Sequence, residues 1–195
     1  MSDNPERHQR ILAAAQEVFA REGFRNAEVK TIATQAGVGK ATIYKHFDSK
    51  EDLLLSIVKA QFECIRDIAL TNLVGAGHPL KRFENTCYAI ADYLVANRDF
   101  SKVLISEAGE FMHEIQRLHQ VVVKENKAFA DAFFDAMKSE GYLPNIPNTT
   151  LLNLLMNLTI GTIYSWTLNP EQDLKKEVEQ LLGLWRLNGA PPPPD

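Results

Sequence analysis

Apolar residues along this chain recur three and four positions apart, and the period-two alternation of strands is missing, so the sequence predicts helices nearly throughout. Asn4-Pro5-Glu6 offers a cap, a first-turn proline and an acid. Ile11, Ala15, Val18 and Phe19 then form one stripe that stops before Gly23. Val29 to Ala36 predicts a short second helix ended by Gly37, and Lys40 to Phe47 a short third. Ser49, with Asp52 three residues on, makes a capping box for a long fourth helix reaching about Leu70, striped by Leu53, Ile57 and Ile65. After the breaker VGAGHP (74–79), Leu80, Phe83, Cys87, Ile90, Ala91 and Leu94 mark a fifth helix closing near Asn97. Helices over roughly 101–110 and 113–139 follow, then a two-proline loop at 142–148. Thr149 to Pro170 reads as a helix with no charged residue, expected to be buried on several sides. Asn169-Pro170-Glu171 is read as the cap of a last helix with Leu174, Val178, Leu181, Leu182 and Trp185 on one side. The expected fold class is all-α, with about nine helices and a PPPPD tail that cannot be helical.

A chain of 195 residues has room for one substantial core or two small ones, so a compact head on a larger body is allowed. The net charge of −4 speaks against a polyanion partner until it is divided along the chain. Residues 1–50 carry eight Lys/Arg and six Asp/Glu (+2), and residues 51–195 carry thirteen and nineteen (−6). The basic excess therefore lies in the N-terminal module. Cys64 and Cys87 share no metal-type or redox-type spacing, which fits buried thiols in a reducing compartment. The opening MSDNPERHQR has no apolar run, so no secretory signal is expected and the cytoplasm is the expected location. The uncharged 149–170 stretch is long enough to span a bilayer, but Asn153, Asn157 and its threonines make it a poor one, and no membrane role is expected.

The segment AGVGKATIYKHF (36–47) raises the question of which phosphate it could hold. A nucleotide-binding loop G-x-x-x-x-G-K-[ST] set on Gly39-Lys40 requires Gly at 34 and Ser or Thr at 41, where the chain has Thr34 and Ala41. The preceding residues also read as helix and not as the strand such a loop needs. A helix-turn-helix fits at more positions. Ala33 is the small residue at the helix crossing, Gly37 takes the turn, and Ile32, Ala36, Val38, Ile43 and Phe47 pin both helices to a core. The second helix would then present its remaining side chains to a DNA major groove.

The run VKTIATQAGVGKATIYKHFDSKEDLL (29–54) resembles the DNA-binding signature of the TetR family of bacterial transcriptional regulators. The I-A-x-x-A-G-V turn, the T-x-Y-x-H-F recognition helix and the S-K-E-x-L cap stand together in register. The resemblance implies three regions: a helix-turn-helix domain over 1–48, a helical effector-binding and dimerisation domain over 49–188, and a proline-rich tail over 189–195. It implies that Thr42, Tyr44 and Lys50 grip backbone phosphates, that Lys40, Ala41 and Lys45 face base edges or thymine methyls, that His46 lies near the backbone and that Lys30 is a flanking contact. It further implies a small-molecule effector near Phe62, Cys87, Phe111, Met112, Phe129, Phe133 and Trp166, whose composition points to an apolar or aromatic one, although at helical spacing such residues are more often plain core. A twofold homodimer through the last two helices, bound to a palindromic operator and released by the effector, completes the implied picture. One departure stands out. Helix two usually begins with a capping Ser or Thr, whereas Ala27-Glu28 stands here and leaves Asn26 as the substitute.

Enzyme chemistry finds little support. His113-Glu114 would need a second histidine at 117 for a zinc hydrolase, where Arg117 stands, and Glu110-x-x-His113 is half of a di-iron site without its pair. No metal site, cofactor or catalytic cluster is expected. Two rivals to a ligand-relieved repressor stay open: a DNA-organising protein without effector, and a helical small-molecule enzyme that keeps the head.

Overall fold

The computed structural model describes residues 5–169 and 171–186, except for the side chains of 104, 106–110, 112, 156 and 184–186. Among the described residues there are nine helices and no strand: α1 Pro5–Glu22, α2 Val29–Gln35, α3 Lys40–His46, α4 Lys50–Leu73, α5 Pro79–Ala96, α6 Arg98–Glu125, α7 Lys127–Ser139, α8 Asn148–Leu168 and α9 Leu174–Arg186. The all-α reading holds. Asn4, Pro170 and the 189–195 tail lie outside the described residues.

The expected helix boundaries between 98 and 139 need correction. The gap expected near 111 is only a kink at Phe111 (φ −109, ψ 16) within α6, while the full break falls at Asn126. There the Asn126 side-chain amide donates to the Val122 carbonyl at 2.8 Å, offering the backbone an alternative to the helical ladder. Apolar periodicity runs on across this point, so a stripe argument passes over it. The last helix also begins later than expected. Asn169 closes α8 instead, its backbone N–H and side-chain amide both donating to the Ser165 carbonyl, and Asp173 takes the N-terminal role by accepting from the Lys175 N–H at 3.0 Å.

The chain divides into two compact units. One holds the chain up to Glu63 with Arg98–His119, and the other holds Cys64–Asn97 with the chain from Gln120 on. In the first, Ile11, Ala15, Val18, Phe19, Ile32, Ile43, Phe47, Leu53 and Ile57 form one buried cluster that also takes in Phe100, Val103 and Phe111. Helices α2 and α3 have seven residues each, too short to persist alone in water. Burial is what orders them, since each core side chain taken from water stabilises by roughly 1.5–3 kcal/mol.

The second unit packs α5 against α7 and α9, and α8 against α7 and α9. Phe133, Phe134 and Met137 of α7 meet Leu80 and Leu151, while Trp166 of α8 meets Ala91, Leu94 and Leu174. Helix α8 is not buried on several sides as its composition suggests. Leu154, Leu158, Ile160, Tyr164 and Leu168 are exposed, because among the described residues the neighbouring helices cover the side holding Leu151 and Trp166. No helix among the described residues is long and apolar enough to cross a membrane.

Candidate nucleic-acid interface

The turn between α2 and α3 is built from backbone bonds that its sequence permits. Gly37 takes φ +64, so its N–H reaches the Thr34 carbonyl at 3.2 Å and the Val38 N–H reaches back to the Ala33 carbonyl at 3.0 Å. This pair of bonds terminates α2 and turns the chain sharply into α3. Ile32 and Ala33 on one helix, and Ile43 with Phe47 just beyond the other, hold the bent pair to α1 and α4. Polar ties add to this: Gln35 bonds Glu17 and accepts from Arg21, fixing α2 on α1, and Gln61 donates to Gln16 at 2.9 Å, fixing α4 on α1.

Gly39 is the N-cap of α3, and its carbonyl accepts from the Thr42 N–H at 2.8 Å. With Ile43 facing inward at 1% exposure, helical spacing leaves Lys40, Ala41, Tyr44 and Lys45 on the outer side, and all four are exposed. Tyr44 is 46% exposed, so it is not a core residue. The Lys40 ammonium lies 5.8 Å from its ring centroid, a cation–π distance that steadies two side chains on the open face. Thr42 and His46 are half-buried at the margins. His46 sits edge-on to His8 at 5.9 Å, while His8 stacks on Phe47 at 4.9 Å. Lys30 is exposed on α2. Among the described residues, no hydrogen bond or ion pair engages the ammonium groups of Lys30 or Lys45. Such a face, about one helix wide and cationic, is what a major groove admits.

Two expectations for this head are corrected. Asn26 does not cap α2; its amide donates backwards to the Glu22 carbonyl at 3.3 Å, and Glu28 occupies the N-cap position with no side-chain bond to the helix. Lys50 does not project outward. Its ammonium donates to the carbonyls of Phe24 (2.8 Å), Arg25 (3.2 Å) and Ala27 (3.3 Å). Sequence reasoning missed this inward role because nothing in a local pattern links position 50 to 24–27. The capping box is half as drawn: Ser49 accepts from the Asp52 N–H at 3.0 Å, but Asp52 accepts from Asp48 and not from Ser49.

The residues expected around an effector divide between the two units. Phe62 and Phe111 belong to the first, where Phe111 is buried beside Phe24 and Phe62 packs against the same cluster. Phe133 and Trp166, in the second, sit in separate clusters, and Cys87 and Phe129 are half-buried. The side chain of Met112 is outside the described residues. Burial and the nearby Glu84 carboxylate push the Cys87 thiol up to about 12. His119, edge-on to Phe62 at 6.0 Å, is lowered by burial. Among the described residues no cluster of three or more His, Cys, Asp or Glu is placed to hold a metal ion.

Residues 11–57 match the profile of bacterial regulatory proteins of the tetR family. Over 193 residues the chain is 25% identical to the HTH-type transcriptional regulator SrpR of Pseudomonas putida, covering 96% of this chain and 87% of that protein. A shorter stretch of 59 residues is 42% identical to the fatty acid metabolism regulator protein of Bacillus subtilis, covering 30% of each. The fold resembles that of the transcriptional regulator FadR from Bacillus subtilis, solved in complex with stearoyl-CoA, with a TM-score of 0.76 at 21% identity over 91% of this chain and 96% of that one.

Proposed function

We propose that this chain is a DNA-binding transcriptional regulator of the tetR family, whose profile its residues 11–57 match, and that it acts in the cytoplasm as a twofold homodimer that represses from a palindromic operator until an apolar small molecule releases it. The carrying observation is the outer face of α3, where Lys40, Ala41, Tyr44 and Lys45 stand exposed on a helix held rigidly by its buried side. In this reading the head over residues 1–48 reads DNA and residues 49–188 bind effector and partner. Lys40, Ala41 and Lys45 meet base edges; Thr42, Tyr44 and His46 meet the backbone, and Lys30 makes a flanking contact. Lys45→Ala tests the assignment: the preferred operator sequence changes at the contacted position, with about 1–3 kcal/mol of discrimination lost there. A uniform loss across all sequences would place Lys45 on phosphate instead.

Support for the dimer comes from α8. Its exposed Leu154, Leu158, Ile160 and Tyr164 lie beside Asn153, Asn157 and Gly161, small and polar positions that let two helices approach closely. The seam is drawn mainly from α8, since Leu174 and Leu182 of α9 are buried within their own chain, Leu174 and Val178 against Trp166, and do not supply the apolar side first expected of them. Two reading heads in such a dimer enter successive major grooves when they lie about 34–36 Å apart. An effector lowers affinity by favouring a different spacing, and a hundredfold preference for that state is worth about 2.7 kcal/mol. Helix α4 is the element suited to carry the change, because it starts directly after the head and ends in the second unit. A long-chain acyl thioester is the first effector to test, FadR of Bacillus subtilis having been solved with stearoyl-CoA. Quenching of Trp166 fluorescence by stearoyl-CoA but not by free coenzyme A supports an acyl ligand; a response to aromatic compounds alone points to the other class.

A further inference from the structure

Lys50 is the first residue of α4, where the helix dipole disfavours a positive charge. Its ammonium nevertheless points back into the head. All three of its N–H donors are accounted for by the carbonyls of Phe24, Arg25 and Ala27, and the nitrogen lies 4.6 Å from the Phe24 ring centroid. Those carbonyls belong to the loop joining α1 to α2. The loop ends at Glu28, which stands at the α2 N-cap in an extended conformation (φ −94, ψ 134) without a side-chain bond to the helix, and Asn26 is turned the other way. Helix α2 therefore starts without the side-chain cap that normally fixes such an entry.

We propose that Lys50 is a positioning residue that staples the α1–α2 loop to the start of α4, replacing the missing cap as the device that sets α2, and with it the attitude of α3, rather than a phosphate contact. A compact ammonium reaches three converging carbonyls, and charge-assisted bonds of this kind are stronger than neutral ones. An arginine cannot take its place, because its donors lie in a rigid plane and its head is larger. On DNA the two roles exclude each other: an ammonium with every donor spent on the loop has none for a phosphate oxygen.

The experiment compares the full-length protein with Lys50→Met, Lys50→Arg and the double variant Lys50→Met/Glu28→Ser, by hydrogen exchange of the free protein and by the salt dependence of binding to a selected operator. The staple predicts that both single variants speed exchange at Ala27 and Ile32, whose N–H groups bond Gly23 and Glu28, by roughly tenfold or more. It predicts that Glu28→Ser, which restores a capping hydroxyl, recovers part of that protection, and that Lys50→Met leaves the salt slope unchanged. Wild-type exchange in both single variants overturns the proposal. So does a slope reduced by about 0.9 per lost phosphate contact in Lys50→Met and kept in Lys50→Arg. The inference uses the DNA-reading role only for the salt arm. If the wild-type protein selects no DNA, that role fails, and the exchange arm still decides the staple.

Discussion

Gly37 shows how one position commits the head to its bent shape. Its φ of +64 is left-handed, and a Cβ there would meet no heavy atom within 4 Å, so the cost of Gly37→Ala is purely conformational. That cost is about 1–2 kcal/mol, and calorimetry of the variant is expected to show Tm lowered by roughly 2–8 °C. An unchanged Tm would mean the turn does not need the left-handed residue. His119 gives a pH prediction. Burial holds its folded value below the ordinary 6.5, so the unfolded chain takes up its proton first as pH falls, and stability is lost below about pH 6.5. His119→Gln is expected to lose less Tm than wild type between about pH 7.5 and pH 5.5; equal or greater loss would contradict the burial argument. The two thiols differ as well. Cys64 is exposed while Cys87 is held up at about 12 by burial and Glu84, so iodoacetamide at mildly alkaline pH should label Cys64 and spare Cys87. Labelling of Cys87 at the same rate would show that its helix opens readily.

Helices make their prediction through α8. Its Leu158 is 47% exposed, on a face with Leu154, Ile160 and Tyr164 that stands open among the described residues. Leu158→Lys is expected to turn the proposed dimer into a monomer in sedimentation at micromolar concentration while leaving helical circular dichroism intact; a persistent dimer would move the seam elsewhere. The same helix marks where sequence reading stopped. Its existence and length were legible from an uncharged apolar run, but not which sides its own chain covers, because a nearly uniform apolar stretch has no stripe to point inward. Helices α1 to α5 were legible almost to their ends, since caps, Gly37 and the VGAGHP breaker punctuate them. The break at Asn126 and the late start of α9 were not, because each depends on one side chain choosing a backbone carbonyl or N–H over another. In the head, the outer face of α3 could be read from spacing alone. The inward turn of Lys50 could not, since it joins residues 23 to 26 positions apart through space.

The whole chain combines a weakly basic head with an acidic body, charges of +2 and −6 by residue count. That division favours contact with DNA through the head and discourages it through the rest, so orientation on the duplex is set electrostatically before any base is read. In the proposed dimer, specificity then comes from two copies of a short helix held at a fixed separation. The most direct measurement is selection of bound duplexes from a random-sequence pool by the full-length protein at fixed salt. The expected outcome is enrichment of a twofold-symmetric site whose half-sites lie one helical turn, about 10 base pairs, or a multiple of it apart. Recovery of unenriched or asymmetric sequences, bound no better than the starting pool, would contradict it.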